Sequence, residues 1–171
     1  MKTAKDQIIE AFLQLLTNKT FEELYVKDIV QTANVSRSTF YLHFIDKYQL
    51  MEEVRNKLND QFLSFYTEQS GSEAATAEIC RHIFRHRSFY SREFSDAVAI
   101  HDLSNQLAAH LFRSYCDQDY AIFASYGTIG YLSSWVNAGF IVSPREAAEK
   151  LMKIGFTNWS ENILQGTNEK R

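Results

Sequence analysis

Apolar side chains recur at three- and four-residue intervals along nearly the whole chain, and a single proline interrupts its 171 residues. That spacing is the helical period, so the pattern predicts an all-α fold. Ile8, Ile9, Phe12, Leu13, Leu15 and Leu16 give a first helix one broad apolar face, and Thr3 with Asp6 can form its capping box. Val26, Ile29, Val30 and Ala33 mark a second helix over about 26–33, and Asn34 then suits the left-handed backbone of a tight turn. Ser36 is placed to cap a short third helix over about 36–43. Asp46, with Gln49 three residues on, opens a long fourth helix over 46–67 that carries Leu50, Val54, Leu58 and Phe62.

One small-polar tract, QSGSEAAT at about 69–76, breaks this run. Helices are predicted beyond it near 75–86, 88–94, 96–115 and 118–138. The last, over 144–163, is signalled by Ser143 as cap, Pro144 at its first position and Glu146 as the capping-box acid. The two final helices are separated by a short loop, which suits a hairpin that pairs with a twofold mate.

Composition supports folding throughout: 45% of residues are hydrophobic and 14% aromatic. Two cysteines, Cys80 and Cys116, indicate neither a disulfide framework nor a zinc module. The first residues enter a charged amphipathic pattern with no signal-peptide block, and no apolar run approaches the roughly 18 residues of a membrane span. The expectation is a soluble cytoplasmic protein with no membrane association.

Short helix, three-residue turn, short helix is the outline of a helix-turn-helix, and it leaves Arg37, Ser38, Thr39, Tyr41 and His43 as candidate surface groups. The net charge of −3, with eight basic against nine acidic side chains in residues 1 to 60, shows no global basic field. A DNA-reading head needs only local cations and backbone donors facing phosphate, so the outline stands.

The segment VKDIVQTANVSRSTFYLHFIDKYQL resembles the N-terminal DNA-binding domain of the TetR family of bacterial transcription regulators over about residues 5 to 55. Asp28, Ile29, Val35, Ser36, Thr39, Phe40, Tyr41, Phe44, Lys47 and Leu50 carry that resemblance. Fainter likeness in YGTIGYLSSWVNAGFIVSPREAAEKL, resting on Gly127, Gly130, Trp135, Gly139 and Ser143-Pro144, is to the C-terminal region of a short subgroup typical of low-GC Gram-positive bacteria. The resemblance implies a head over 1–47, a connecting fourth helix and a helical body over 48–171 that dimerises and is a candidate to bind a ligand.

It also implies DNA contacts. The third helix would enter the major groove, with Arg37, Ser38 and Thr39 near its leading end. Arg37 reads guanine or touches phosphate, and Thr39 meets a thymine methyl or a phosphate. Tyr41 and His43 match positions that usually touch the backbone, and Lys47 matches a phosphate-holding lysine. Lys2 and Lys5 are outer candidates. Tyr25 is a departure, standing where the family usually has Thr or Ser; its phenol can reach phosphate, but its ring cannot cap the second helix.

In the body, Phe84, Phe112, Phe123 and Trp135, with Phe89, Phe94 and Tyr126, are candidate lining for an effector pocket, or simply core. Gly127 and Gly130 sit within one predicted helix, where each costs about 1 kcal/mol relative to alanine. Close approach of a partner helix would explain them, as would a kink or a pocket wall. The expected dimer face comprises Ile122, Tyr126, Gly127, Gly130, Ser133, Leu151 and Ile154. His82 and His86 are spaced to face one metal, with Cys80, His101 or His110 as completing ligands, but the neighbouring arginines favour a solvated or acid-binding face. Cys116 reads as buried filling rather than a thiol sensor. No metal site or cofactor is expected.

No nucleophile elbow, phosphate loop or metal-binding motif organises a catalytic site, so an enzyme is not expected. Two regulatory readings stand. One is a homodimeric repressor of a near-palindromic double-stranded operator, released by a small effector. The other is an activator or co-regulator that binds DNA and recruits a protein partner.

Overall fold

A computed structural model describes residues 2–66 and 73–156. Among them are nine α-helices and no strand, which gives the all-α architecture. The head comprises α1 (Ala4–Leu15), α2 (Val26–Ala33) and α3 (Arg37–His43), and α4 (Lys47–Ser64) leads from it. The body comprises α5 (Glu73–Arg85), α6 (Arg87–Glu93), α7 (Ala97–Tyr115), α8 (Gln118–Asn137) and α9 (Pro144–Phe156). The predicted last helix is described only to residue 156; its expected continuation to 163, and the stretch 67–72 that holds the first half of the predicted break, lie outside the described residues.

Short polar side chains set the helix starts. Thr3 accepts from the Asp6 N–H at 3.1 Å while Asp6 accepts from the Thr3 N–H, a complete capping box. Ser143 and Glu146 repeat the arrangement before α9. Asp46 accepts from the N–H groups of Tyr48 and Gln49, and Gln49 reaches back past the cap to the Ile45 N–H. Asp96 and Asp117 cap α7 and α8 in the same way.

Inside the head, the predicted apolar face of α1 buries Ile8, Ile9 and Phe12, with Leu13, Leu15 and Leu16 partly covered. They share one core with Ile29 and Val30 of α2, Phe40, Phe44, and Leu50 and Val54 of α4. Side-chain pairs also tie α4 to α1: Lys5 to Glu53 at 2.5 Å and Lys57 to Asp6 at 3.8 Å. Lys2 pairs with Glu10. The ammonium groups of Lys2 and Lys5, the outer DNA candidates, therefore both have carboxylate partners within the chain.

The body pairs its helices differently from the expected α8–α9 hairpin. α8 packs along α7 and α9 packs along α5, while α8 and α9 meet over a shorter stretch. The cause is the corner after α8, where Gly139 and Phe140 both have positive φ and Phe140 packs edge-on against both Trp135 and Phe84. This corner directs α9 toward α5, where Ala147 and Ala148 are buried.

Two polar links cross between α4 and α6. Arg55 forks onto Glu93, from Nε at 2.6 Å and Nη2 at 3.0 Å, and the contact raises the Arg55 pKa, chiefly through the hydrogen bond to Glu93. Tyr90, fully buried, lies 2.9 Å from His82 Nε2 and donates to the Leu58 carbonyl. Burial, with the His86 ring beside it, holds the His82 pKa down to about 4.

Candidate nucleic-acid interface

The turn between α2 and α3 is built from three residues. Asn34 adopts the left-handed conformation (φ 54°, ψ 45°), closing α2, and Val35 bonds back to the Val30 carbonyl. Ser36 then caps α3 by accepting from the Thr39 N–H at 3.0 Å. Its hydroxyl also lies 2.7 Å from that of Ser38 and 2.8 Å from that of Thr39. Both hydroxyls expected to face DNA are thus held against the cap.

Phe40 and Phe44 turn inward and are buried, their rings 5.7 Å apart, which orients the opposite side of α3 outward. Arg37, Ser38, Tyr41 and His43 are exposed there, and Thr39 is half-buried. Arg37 has no carboxylate partner among the described residues. Leu42 and Ile45, which sequence reading passed over, are 82% and 77% exposed. Their signal was legible: each is a large apolar residue out of phase with the inward pair Phe40 and Phe44.

Tyr25 stands at the N-cap of α2 and its side chain makes no cap hydrogen bond; Asp28 supplies the other half, accepting from the Tyr25 N–H at 3.2 Å. The ring lies exposed beside the ammonium groups of Lys27 and Lys47, 5.6 and 5.9 Å from its centre. Tyr25, Tyr41 and Tyr48 are all more than half exposed, so three phenols surround this end of the head. Lys47 itself is half-buried and donates from Nζ to the carbonyls of Phe21, Glu22 and Leu24 at 2.9, 3.2 and 2.8 Å. All three hydrogens of that ammonium have partners within the chain.

The body candidates occupy separate places. Phe89 and Phe94 are each 1% exposed, because α6 is turned so that these rings pack with Tyr90. Trp135 is also buried and donates to the Val142 carbonyl, packing on Phe140 opposite the half-exposed Phe84. Phe112 is exposed on α7. Phe123 lies instead in an open groove of about 470 Å3 on the outer face of α8, with Asp119, Ile122, Tyr126 and Gly127. Phe84 and Trp135 thus meet through Phe140, while Phe112 and Phe123 are exposed on α7 and α8.

On that same face Ile122, Phe123 and Tyr126 are 45%, 67% and 39% exposed, and Tyr126 bonds His101 and Asn105 of α7. A Cβ added at Gly127 or Gly130 would meet nothing within 4 Å among the described residues. Ser133 and Leu151 are half-buried and Ile154 is exposed.

His82 and His86 do meet, ring centres 5.0 Å apart, but His82 is engaged by Tyr90, and no group of three His, Cys, Asp or Glu converges among the described residues. Burial pushes the Cys80 thiol up to about 12. Cys116, expected as buried filling, is exposed: it closes α7 in a left-handed conformation at φ 54°, which points it away from the core. No described helix is long and apolar enough to cross a membrane.

Residues 8–54 match the model of the bacterial regulatory proteins of the tetR family. The chain is 24% identical to the HTH-type transcriptional regulator YxbF of Bacillus subtilis strain 168 over 90% of its own length and 45% of YxbF. It is 24% identical to DhaS, the dhaKLM operon transcriptional activator of Lactococcus lactis, over 51% of its length and 46% of DhaS. The chain thus spans about half the length of these curated relatives. Among solved structures, a transcriptional regulator from Aquifex aeolicus VF5 shares the fold, with a TM-score of 0.68 and 19% identity, covering 88% of this chain and 96% of that one. The helix-turn-helix head thus matches the tetR family over residues 8–54, and the chain shares its all-helical fold with that solved regulator.

Proposed function

We propose that the protein is a homodimeric repressor that reads a near-palindromic operator and is released by a small effector. The observation that carries the reading is α3 itself. It is capped by Ser36 and anchored by Phe40 and Phe44, and it presents Arg37, Ser38, Thr39, Tyr41 and His43 on its free side. Arg37 reads a guanine edge, Tyr41, His43 and Tyr25 contact phosphates, and Leu42 offers an apolar contact to a thymine methyl. Lys47 serves the interface by holding the 21–24 turn that leads directly into Tyr25.

Dimerisation is assigned to α8 and the outward side of α9, through Ile122, Tyr126, Gly127, Gly130, Ser133, Leu151 and Ile154. Two glycines whose added Cβ would meet nothing among the described residues find no reason there, whereas a partner helix crossing at them would supply one. Paired heads would sit in successive major grooves about 34 Å apart, and repression would result from excluding polymerase. An effector acts by favouring a head spacing that fits only one half-site. We also assign the protein to the short subgroup suggested by its C-terminal region, with residues 1–47 as head and 48–171 as body; its likeness to Bacillus and Lactococcus regulators supports this placement.

Activation is the second reading, favoured by the similarity to DhaS, an operon activator. Genomic fragment selection by the purified protein, followed by titration and stoichiometry on the best fragment, tests both. Two chains on one palindromic site that blocks transcription in vitro supports repression, and stimulated transcription from that site supports activation. No preference above non-specific duplex would sink both.

A further inference from the structure

Where head meets body, a cleft of about 250 Å3 opens between the last turn of α1 and the junction of α5 with α6. Its apolar part comes from Leu13, partly buried, with the buried Phe89 behind it. Its rim carries Arg85 and Arg87, and Gln14 and Ser88 add neutral hydrogen-bonding groups. No carboxylate among the described residues lines it. This is unexpected in a chain with a net charge of −3. Arg55, Arg81, Arg92 and Arg145 each pair with a glutamate, while Arg85 and Arg87 have no carboxylate partner among the described residues. Arg87 lies against the Phe84 ring, its guanidinium carbon 5.4 Å from the centre.

Guanidinium groups left without an acid present fork-shaped donors that match carboxylate or phosphate oxygens. We propose that this cleft binds a small organic anion, a carboxylate or phosphate monoester with a short apolar stem, whose head meets Arg85 and Arg87 while its stem lies on Leu13. Such a ligand touches α1 of the head and the α5–α6 junction of the body at once. Between them lies His86, whose pKa is lowered by burial and by Arg85. Where the protein is the DNA-binding regulator proposed above, occupancy fixes the head against the body and alters operator affinity.

Calorimetric titration of the full chain without DNA tests the site independently of that reading, with inorganic phosphate, butyl phosphate and butyrate as probes. The expected result is one saturable site per chain for butyl phosphate or butyrate, whichever identifies the head group, at least tenfold tighter than inorganic phosphate. Arg85→Gln and Arg87→Gln should each weaken it about tenfold or more. Arg81→Gln, an exposed position on the same helix whose partner is Glu78, should leave it unchanged. No saturable binding of any probe, or affinity undiminished in both cleft variants, overturns the proposal. Operator titration with and without the bound probe then reads the coupling separately.

Discussion

Arg37 and Lys47 are the two cations whose surroundings differ most within the head. Arg37 is exposed without a carboxylate partner, so Arg37→Ala should leave stability nearly unchanged and reduce discrimination at one base pair by about 1–3 kcal/mol, read by competition between operator variants. Lys47 closes three carbonyls with charge-assisted bonds, and Lys47→Ala should destabilise the fold by about 2 kcal/mol in chemical denaturation. Its DNA binding should weaken alike on all duplexes with the salt slope unchanged; a slope lower by about one unit would instead mean that the ammonium transfers to a phosphate. His82 answers to pH. Its folded pKa of about 4 lies below the ordinary 6.5, so an unfolded chain takes up a proton that the folded one refuses. The full contribution is present above about pH 6.5 and is lost as pH falls toward 4, at most about 3 kcal/mol. His82→Gln should flatten that part of the stability profile, measured by denaturation from pH 7 to pH 4.

At the level of the helices, α8 presents the clearest test. Gly127→Leu should favour the isolated helix by up to about 1 kcal/mol, because a Cβ there meets nothing within 4 Å among the described residues, yet it should abolish dimers in sedimentation if a partner crosses there. A dimer that survives would move the interface elsewhere. Helix placement was readable because caps and periodicity are local signals: Thr3, Asn34, Ser36, Asp46 and Ser143 each stand within a residue of a helix boundary. Which helices would pair was not readable in the same way. The Gly139–Phe140 corner that directs α9 to α5 depends on a left-handed Phe140 packed between Trp135 and Phe84, the second of which lies more than fifty residues away in sequence. The site divides likewise. Arg37 and Tyr41 could be placed from their phase opposite Phe40 and Phe44. The carbonyl partners of Lys47 lie more than twenty residues away and leave no periodic trace.

Across the whole molecule, α6 links body and head. Its Arg92 bonds Glu22 at 3.0 Å and lies 4.8 Å from the Phe21 ring, while the neighbouring Glu93 grips Arg55 of α4. Arg55→Met should therefore cost about 2–3 kcal/mol, since it leaves a buried carboxylate without its partner. Coupled melting of head and body in calorimetry would accompany the intact fork, and separate transitions would mark its loss. The ties between α1 and α4, Lys5 with Glu53 and Asp6 with Lys57, carry a practical meaning for chimeric regulators. A graft cut at residue 47 would strand Leu50, Met51 and Val54 on the wrong parent, so a transferable operator reader has to travel with its fourth helix through at least Lys57.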